Sequence, residues 1–197
     1  MPAQRPQDIR NVVLLGHGGA GKTMLAEAML HAAGATSRFG SIEDGTTVMD
    51  YLDLERQRGH SVDPAMSAPA MAHFAAEGKM VNLLDAPGYP DFIGGAISAL
   101  AGADIALVVV SAPAGIEVNT RRLFHTARDA RLACAVVINK IDAENLDLPA
   151  LLAALKETFG PAVKCANLPA GGAKTVIDCL ADTSGQADLG DLAKTHT

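Results

Sequence analysis

Tryptophan is absent, and aromatic residues make up only 4% of the chain. Ala, Val, Ile and Leu must therefore fill most of any core, and a hydrophobic content of 49% over 197 residues suffices for a sizeable one. The three cysteines, Cys134, Cys165 and Cys179, show neither metal-ligand spacing nor a pairing pattern. That argues against a zinc module or a disulfide scaffold and fits a reducing cytosol. No apolar run reaches the roughly 20 residues needed to cross a bilayer. The N-terminal Met1-Pro2-Ala3-Gln4-Arg5-Pro6 carries no hydrophobic leader core. The expectation is a cytoplasmic protein with no membrane partner. Positive charge is also in deficit. The formal net charge of −6 argues against a generic basic nucleic-acid binder. Internal repeats and low-complexity tracts are missing, so a solenoid is excluded.

The most informative stretch present is Gly16-His17-Gly18-Gly19-Ala20-Gly21-Lys22-Thr23, a G-x-x-x-x-G-K-T loop. A mostly apolar run, Ile9 to Leu15, precedes it and reads as a buried strand. Met24 to His31 follows, rich in helix formers. Strand, glycine-rich turn and helix is the context in which this motif cradles phosphates. Glycines let successive N–H groups converge on an anion, and the helix N-terminus adds partial positive charge. Gly18, Gly19, Ala20 and Gly21 supply the cradle. Lys22 is expected to reach the β- and γ-phosphates, and the Thr23 hydroxyl to ligate Mg2+. The motif specifies a nucleoside triphosphate and leaves the base open.

Strand and helix candidates alternate along the chain, which predicts an α/β fold with a mainly parallel sheet. Strands are predicted at 9–15, 80–84, 105–110 and 133–138, with 105–110 as the buried central strand and 133–138 as a further buried strand. Helices are predicted at 22–34, 91–100, 118–131 and 148–159. Residues 68–75 read as an antiparallel edge strand, where Pro69 is tolerated. Residues 35–66 lose periodicity, and a segment that long is usually functional or mobile. Beyond Gly160, 163–168 reads as a strand, 175–180 as a short strand or helix, and 182–197 as loop or the start of a further element.

Two more motifs fall at predicted strand ends, the edge where open α/β sheets bind ligands. Asp85-Ala86-Pro87-Gly88 would by itself be a common turn. After a phosphate loop and a strand, Asp85 becomes a magnesium-holding carboxylate and the Gly88 N–H a γ-phosphate contact. Asn139-Lys140-Ile141-Asp142 closes the 133–138 strand. A carboxylate such as Asp142 can accept both N1–H and the exocyclic amine of guanine, a donor pair adenine lacks. Asn139 can bridge back to the phosphate loop, and the Lys140 stem can cover the base. Together the three motifs point to a guanine nucleotide. Within 35–66, Ser61 of Arg56-Gln57-Arg58-Gly59-His60-Ser61 offers a further hydroxyl for magnesium when GTP is bound; a solvated charged loop is the alternative.

These residues carry a resemblance to the G domain of translational GTPases, closest to elongation factor G. Glu55 to Ser61 is similar to that family's E-R-x-R-G-I-T segment. Asp85 to Phe92 resembles D-T-P-G-H-x-D-F, Ser111 to Val118 partly resembles S-A-x-x-G-V-x-x-Q, and Asn139 to Asp142 matches N-K-x-D. The resemblance implies a phosphate-loop three-layer fold with one antiparallel edge strand, Mg2+ as cofactor, GTP and GDP as substrate and product, and the ribosome as partner. It divides the chain into a GTP-binding core at 1–144 and, at 145–197, the last core helix with the start of an insertion peculiar to elongation factor G. On that reading the chain is a fragment ending inside the insertion. The family's last guanine motif is missing, although Cys165-Ala166 stands in for it if Val163 to Cys165 form a sixth strand.

The departures concern water. The family has histidine where this chain has Tyr89, an apolar residue at the places of Gly18 and His60, aspartate at Gly19 and threonine at Ser61. A branch of elongation factor G-like paralogues shares D-A-P-G-Y. Tyr89 and His60 are the candidate catalytic residues. Tyr89 is a poor base but can orient water; His60 is placed to approach water from beside Ser61. The expected function is GTP binding and hydrolysis as part of a ribosome-associated factor. The alternatives are a GTP-dependent ribosome-binding module with little hydrolysis, and a phosphotransferase with an acceptor other than water.

Overall fold

Val12, Val13, Leu14 and Leu15 are buried in β1 (Ile9–Leu15). Alternation along a strand sends successive side chains to opposite faces. Val12 and Leu14 join Ala26 and Leu30 of α1 (Lys22–Ala32) in one apolar cluster. Val13 and Leu15 serve the other face, where α3 (Ile93–Leu100) and α4 (Val118–Asp129) pack on β1. β1 is therefore covered on both sides, which explains its near-continuous hydrophobicity. The computed structural model describes residues 5–65, 73–76, 78–182 and 185–191.

Five strands form one sheet in the order β2-β3-β1-β4-β5. Here β2 is His73–Ala76, β3 Lys79–Asp85, β4 Ile105–Ser111 and β5 Ala133–Asn139. β3 and β4 both run parallel to β1, and β2 pairs antiparallel with β3 through Ala75↔Met80 and Phe74↔Val81. The mainly parallel sheet with one antiparallel edge strand is as expected. Most of the predicted 68–75 strand lies outside the described residues. β4, expected to be central, is an interior apolar strand beside the central β1, with Val108, Val109 and Val110 fully buried. β5 differs from the expectation. It ends the sheet order, and its residues are only half-buried or exposed, because an edge strand has a neighbour on one side alone.

Residues 35–65 are more structured than their lost periodicity suggests. They contain α2 (Asp53–Arg58) and the buried residues Thr47, Met49, Asp50 and Glu55. Glu55, at the third helical position, accepts the Leu52 N–H at 3.1 Å. This is half of a capping box; leucine has no acceptor to return the bond. Ala65 then bridges to Asp85 through two backbone bonds of 2.9 and 3.0 Å.

The chain divides into two compact units, residues 1–110 with 117–137, and 111–116 with 138–197. The second contains α5 (Leu148–Phe159), capped by the Asp147 carboxylate, which accepts the Ala150 N–H at 2.9 Å. It also holds two hairpins, β6 (Asn167–Ala170) with β7 (Thr175–Asp178), and β8 (Gln186–Ala187) with β9 (Gly190–Asp191). Leu168 and Cys179 form its small core, with Cys165, Ile177, Ala187 and Leu189 packed around them. The predicted 163–168 strand is corrected. The strand starts at Asn167 and pairs in a separate two-stranded sheet, so Val163 to Cys165 are no sixth strand. The 182–197 segment contains the short β8–β9 hairpin; 183–184 and 192–197 lie outside the described residues.

Candidate functional site

The loop after β1 is built by close backbone approach. Gly16 adopts φ +143°, and a Cβ there would run into the Val109 carbonyl oxygen of β4. Gly21 stands before α1 at φ +91°, a left-handed conformation that glycine adopts without penalty. The buried Lys22 ammonium lies back over the loop and donates to the carbonyls of Gly16 at 3.2 Å and His17 at 3.0 Å. Burial pulls the Lys22 pKa down, and the charge of Asp85 opposes that pull.

Four oxygen-bearing side chains converge beside Lys22. The Thr23 hydroxyl donates to Asp85 Oδ2 at 2.5 Å. Ser61 Oγ lies 3.4 Å from Thr23 Oγ1 and 3.4 Å from Asp50 Oδ1. Asp50 Oδ2 in turn accepts the Thr47 hydroxyl at 2.8 Å. The other oxygen of Asp85, Oδ1, is buried with no partner among the described residues. Burial pushes the Asp85 carboxyl up to about 6; Lys22 and the Thr23 hydrogen bond pull it down, and Asp50 and Glu55 add to the rise. A buried carboxylate oxygen without a partner is costly unless something else meets it. Hydroxyls and carboxylates are the hard donors that Mg2+ takes, with phosphate oxygens completing its shell. The residues present fit that ion. Among the described residues no group of three or more His, Cys, Asp or Glu is placed to hold a metal ion.

Gly88 closes on this cluster. A Cβ at Gly88 would lie 2.5 Å from the His17 carbonyl carbon and 2.6 Å from the Gly18 nitrogen, and would run into Lys22 Nζ. Tyr89 follows, and its ring lies 2.9 Å from where a Gly18 Cβ would stand. The His60 and Tyr89 ring centroids are 4.6 Å apart, tilted by 47°. The structure thus brings together Gly18, Lys22, Thr23, His60, Ser61, Asp85, Gly88 and Tyr89. Gly19 and Ala20 lie in the same loop, Gly19 exposed and Ala20 buried.

Asn139, Lys140 and Asp142 lie together at the carboxyl end of β5, in the second unit. Lys140 sits at φ +59°, a region that non-glycine residues rarely occupy and that clusters at functional sites. The Asn139 side-chain oxygen accepts the Lys140 N–H at 2.9 Å, and Asp142 is exposed.

Sequence reasoning missed three contributors. Asp50 had no signal beyond one acidic residue in an irregular segment. Glu27 lies one turn beyond Thr23 on α1, and its Oε1 accepts the N–H groups of Val48 at 2.6 Å and Met49 at 3.2 Å. The third is Glu55, whose Oε1 accepts those of Val62 at 2.9 Å and Asp63 at 3.2 Å. A polar residue at a helical position facing the core is the only local hint that Glu27 offers.

The sheet order, the loop after β1 and the carboxylate at the end of β3 define a phosphate-loop nucleotide-binding domain. Residues 7–191 match the elongation factor Tu GTP binding domain, and the chain belongs to that family. It is 40% identical over 169 residues to an elongation factor G-like protein of Mycobacterium tuberculosis, covering 86% of this chain and 23% of that one. It is 39% identical over 148 residues to the tetracycline resistance protein TetO of Campylobacter jejuni, covering 75% and 22%. The crystal structure of a Thermus thermophilus protein superposes with a TM-score of 0.79 at 41% identity, over 88% of this chain and 26% of that one. The chain thus spans about a quarter of the length of these relatives. Among the described residues no helix is long and apolar enough to cross a membrane.

Proposed function

We propose that this domain binds GTP with Mg2+ and hydrolyses it to GDP and phosphate, as the nucleotide switch of a cytoplasmic, ribosome-associated translation factor. The observation that carries the reading is the meeting of Lys22, Thr23, Asp50, Ser61 and Asp85 beneath Gly88, with one Asp85 oxygen buried and unpartnered among the described residues. Thr23 and Ser61 would hold the ion directly, with Asp85 and Asp50 beside them. When bound, the ion would neutralise charge on the β- and γ-phosphates. Lys22 would add its ammonium to the same oxygens, and the Gly88 N–H would meet the γ-phosphate. Loss of that phosphate would release Ser61 and Gly88 together, so the 35–65 segment would report the nucleotide state.

Asn139, Lys140 and Asp142 are assigned to the guanine. Asp142→Asn replaces an acceptor with a donor opposite the guanine amine. GTP affinity should fall, and xanthosine triphosphate, whose 2-oxo group accepts that donor, should gain relative to GTP. Competition titrations on wild type and variant check this; unchanged GTP preference in the variant would remove the assignment. Tyr89 favours a second reading, a GTP-dependent ribosome-binding module that hydrolyses little, because a neutral phenol is a poor proton acceptor. Single-turnover hydrolysis with ribosomes separates the two.

A further inference from the structure

We infer that His60, rather than Tyr89, positions the water that attacks the γ-phosphate; the inference rests on the reading of this site as a GTP site. Its starting point is connectivity. His60 immediately precedes Ser61, whose hydroxyl faces Thr23 in the magnesium cluster. Tyr89 immediately follows Gly88, whose backbone abuts Lys22 and the phosphate loop. A γ-phosphate held by those groups would have these two side chains as near neighbours. They also touch each other, ring to ring at 4.6 Å.

Of the two, only His60 has a buried polar atom without a hydrogen-bond partner among the described residues. Tyr89 is 41% exposed, and its ring fills the space that a Gly18 side chain would occupy. It serves as a wall. His60 Nδ1 is buried and has no hydrogen-bond partner among the described residues. In the neutral Nε2–H tautomer that nitrogen is an acceptor with nothing to accept. A water donating one O–H to it satisfies the nitrogen and has a lone pair left for phosphorus. The loop that carries His60 is fixed just beyond it by Glu55, which takes the N–H groups of Val62 and Asp63. A fixed acceptor is what an orientation effect requires.

The step balances without a proton residing on His60. The water oxygen forms a bond to the γ-phosphorus, and the bond from that phosphorus to the β–γ bridging oxygen breaks. The electron pair of that bond leaves on GDP. Both protons of the water depart on the inorganic phosphate, so fully ionised GTP and water give GDP and dihydrogen phosphate. His60 is a positioning residue in this scheme, holding the water by one hydrogen bond.

Single-turnover GTP hydrolysis of the full polypeptide, with Mg2+ and ribosomes, tests the assignment, with GTP affinity titrated in parallel. His60→Ala should lower the rate by about 100-fold while GTP affinity stays within about two-fold. His60→Asn, whose amide oxygen is an acceptor at about the reach of Nδ1, should recover at least about ten-fold over His60→Ala. Tyr89→Phe keeps the wall and should lose less than His60→Ala. A wild-type rate in His60→Ala overturns the proposal. So does an asparagine variant no faster than the alanine one, which would reduce His60 to packing. A Tyr89→Phe rate as low as that of His60→Ala moves the water to the phenol. Wild type that binds GTP and never turns it over sinks the hydrolytic reading itself, and this assignment with it.

Discussion

Burial of Asp85 beside Lys22 and Thr23 sets opposing ionisation preferences against each other. Desolvation penalises both charges, and each partly restores the other. An aspartate raised from 3.8 to about 6 binds a proton in the folded state over a range where the unfolded state has already lost it. Its contribution to stability therefore falls as pH rises from about 4 to about 6, and the penalty is complete above that. Asp85→Asn removes the penalty. Without Mg2+ and nucleotide, the variant should be more stable than wild type at pH 7, by an amount on the order of 3 kcal/mol at most. The advantage should vanish below about pH 4. Denaturant titrations at several pH values measure it, and a pH-independent difference would contradict an origin in Asp85 ionisation. With Mg2+ and GTP the order should reverse, because the ion needs the carboxylate. Such a residue, poor for the empty fold, is what a binding site retains.

At the level of elements, the irregular segment at 35–65 is organised by carboxylates rather than by an apolar stripe. Glu27 holds the N–H groups of Val48 and Met49, and Glu55 holds those of Leu52, Val62 and Asp63. Both are fully buried. Met49 inserts into the apolar cluster under β1 and β3. Glu55→Ala would leave three amide donors without their acceptor, each costing roughly 1–3 kcal/mol if it stays buried. The segment would open locally instead. Hydrogen exchange should show lost protection at residues 52, 62 and 63, with β1 and β4 unchanged. Unaltered protection at those three amides would show that Glu55 is not their anchor. Motif and periodicity could not reveal this arrangement, since a carboxylate accepting backbone donors leaves no repeat in the sequence. The β6–β7 hairpin is legible only in part: the sequence predicts a strand at 163–168 and a strand or helix at 175–180, but not the start at Asn167 or the pairing. Its strands are four residues long, too short for a period to register.

For the molecule as a whole, nucleotide binding and folding should be linked, because the groups proposed to hold phosphate and magnesium are assembled only by the folded sheet. GTP with Mg2+ at about 100 times its dissociation constant should stabilise the chain by about 2.7 kcal/mol. Lys22→Ala should weaken GTP binding by roughly 2–5 kcal/mol and cut the stabilisation at that concentration to below about 1 kcal/mol. Thermal melts with and without nucleotide provide the measurement. An equal shift in the variant would place nucleotide binding elsewhere. The linkage is expected in the first unit, where Lys22, Thr23, Asp50, Ser61 and Asp85 all reside.

By itself the sequence determined the strand–loop–helix at 9–32, the parallel α/β character and the three nucleotide motifs, because each is written in neighbouring residues. Glycine placement selects a backbone path, apolar runs mark buried strands, and a motif carries its chemistry within a few consecutive positions. Tertiary structure alone decided how those pieces meet. β3 lies parallel to β1 with Leu14 opposite Asp85, so the carboxylate arrives beside a helix that begins seven residues after β1 ends. Thr23 thereby touches residues 38 and 62 positions away. The roles of Asp50, Glu27 and Glu55, the unpartnered oxygen of Asp85 and the contact of His60 with Tyr89 depend on that assembly. Each is a matter of distance and burial between remote segments, which only the packed sheet specifies.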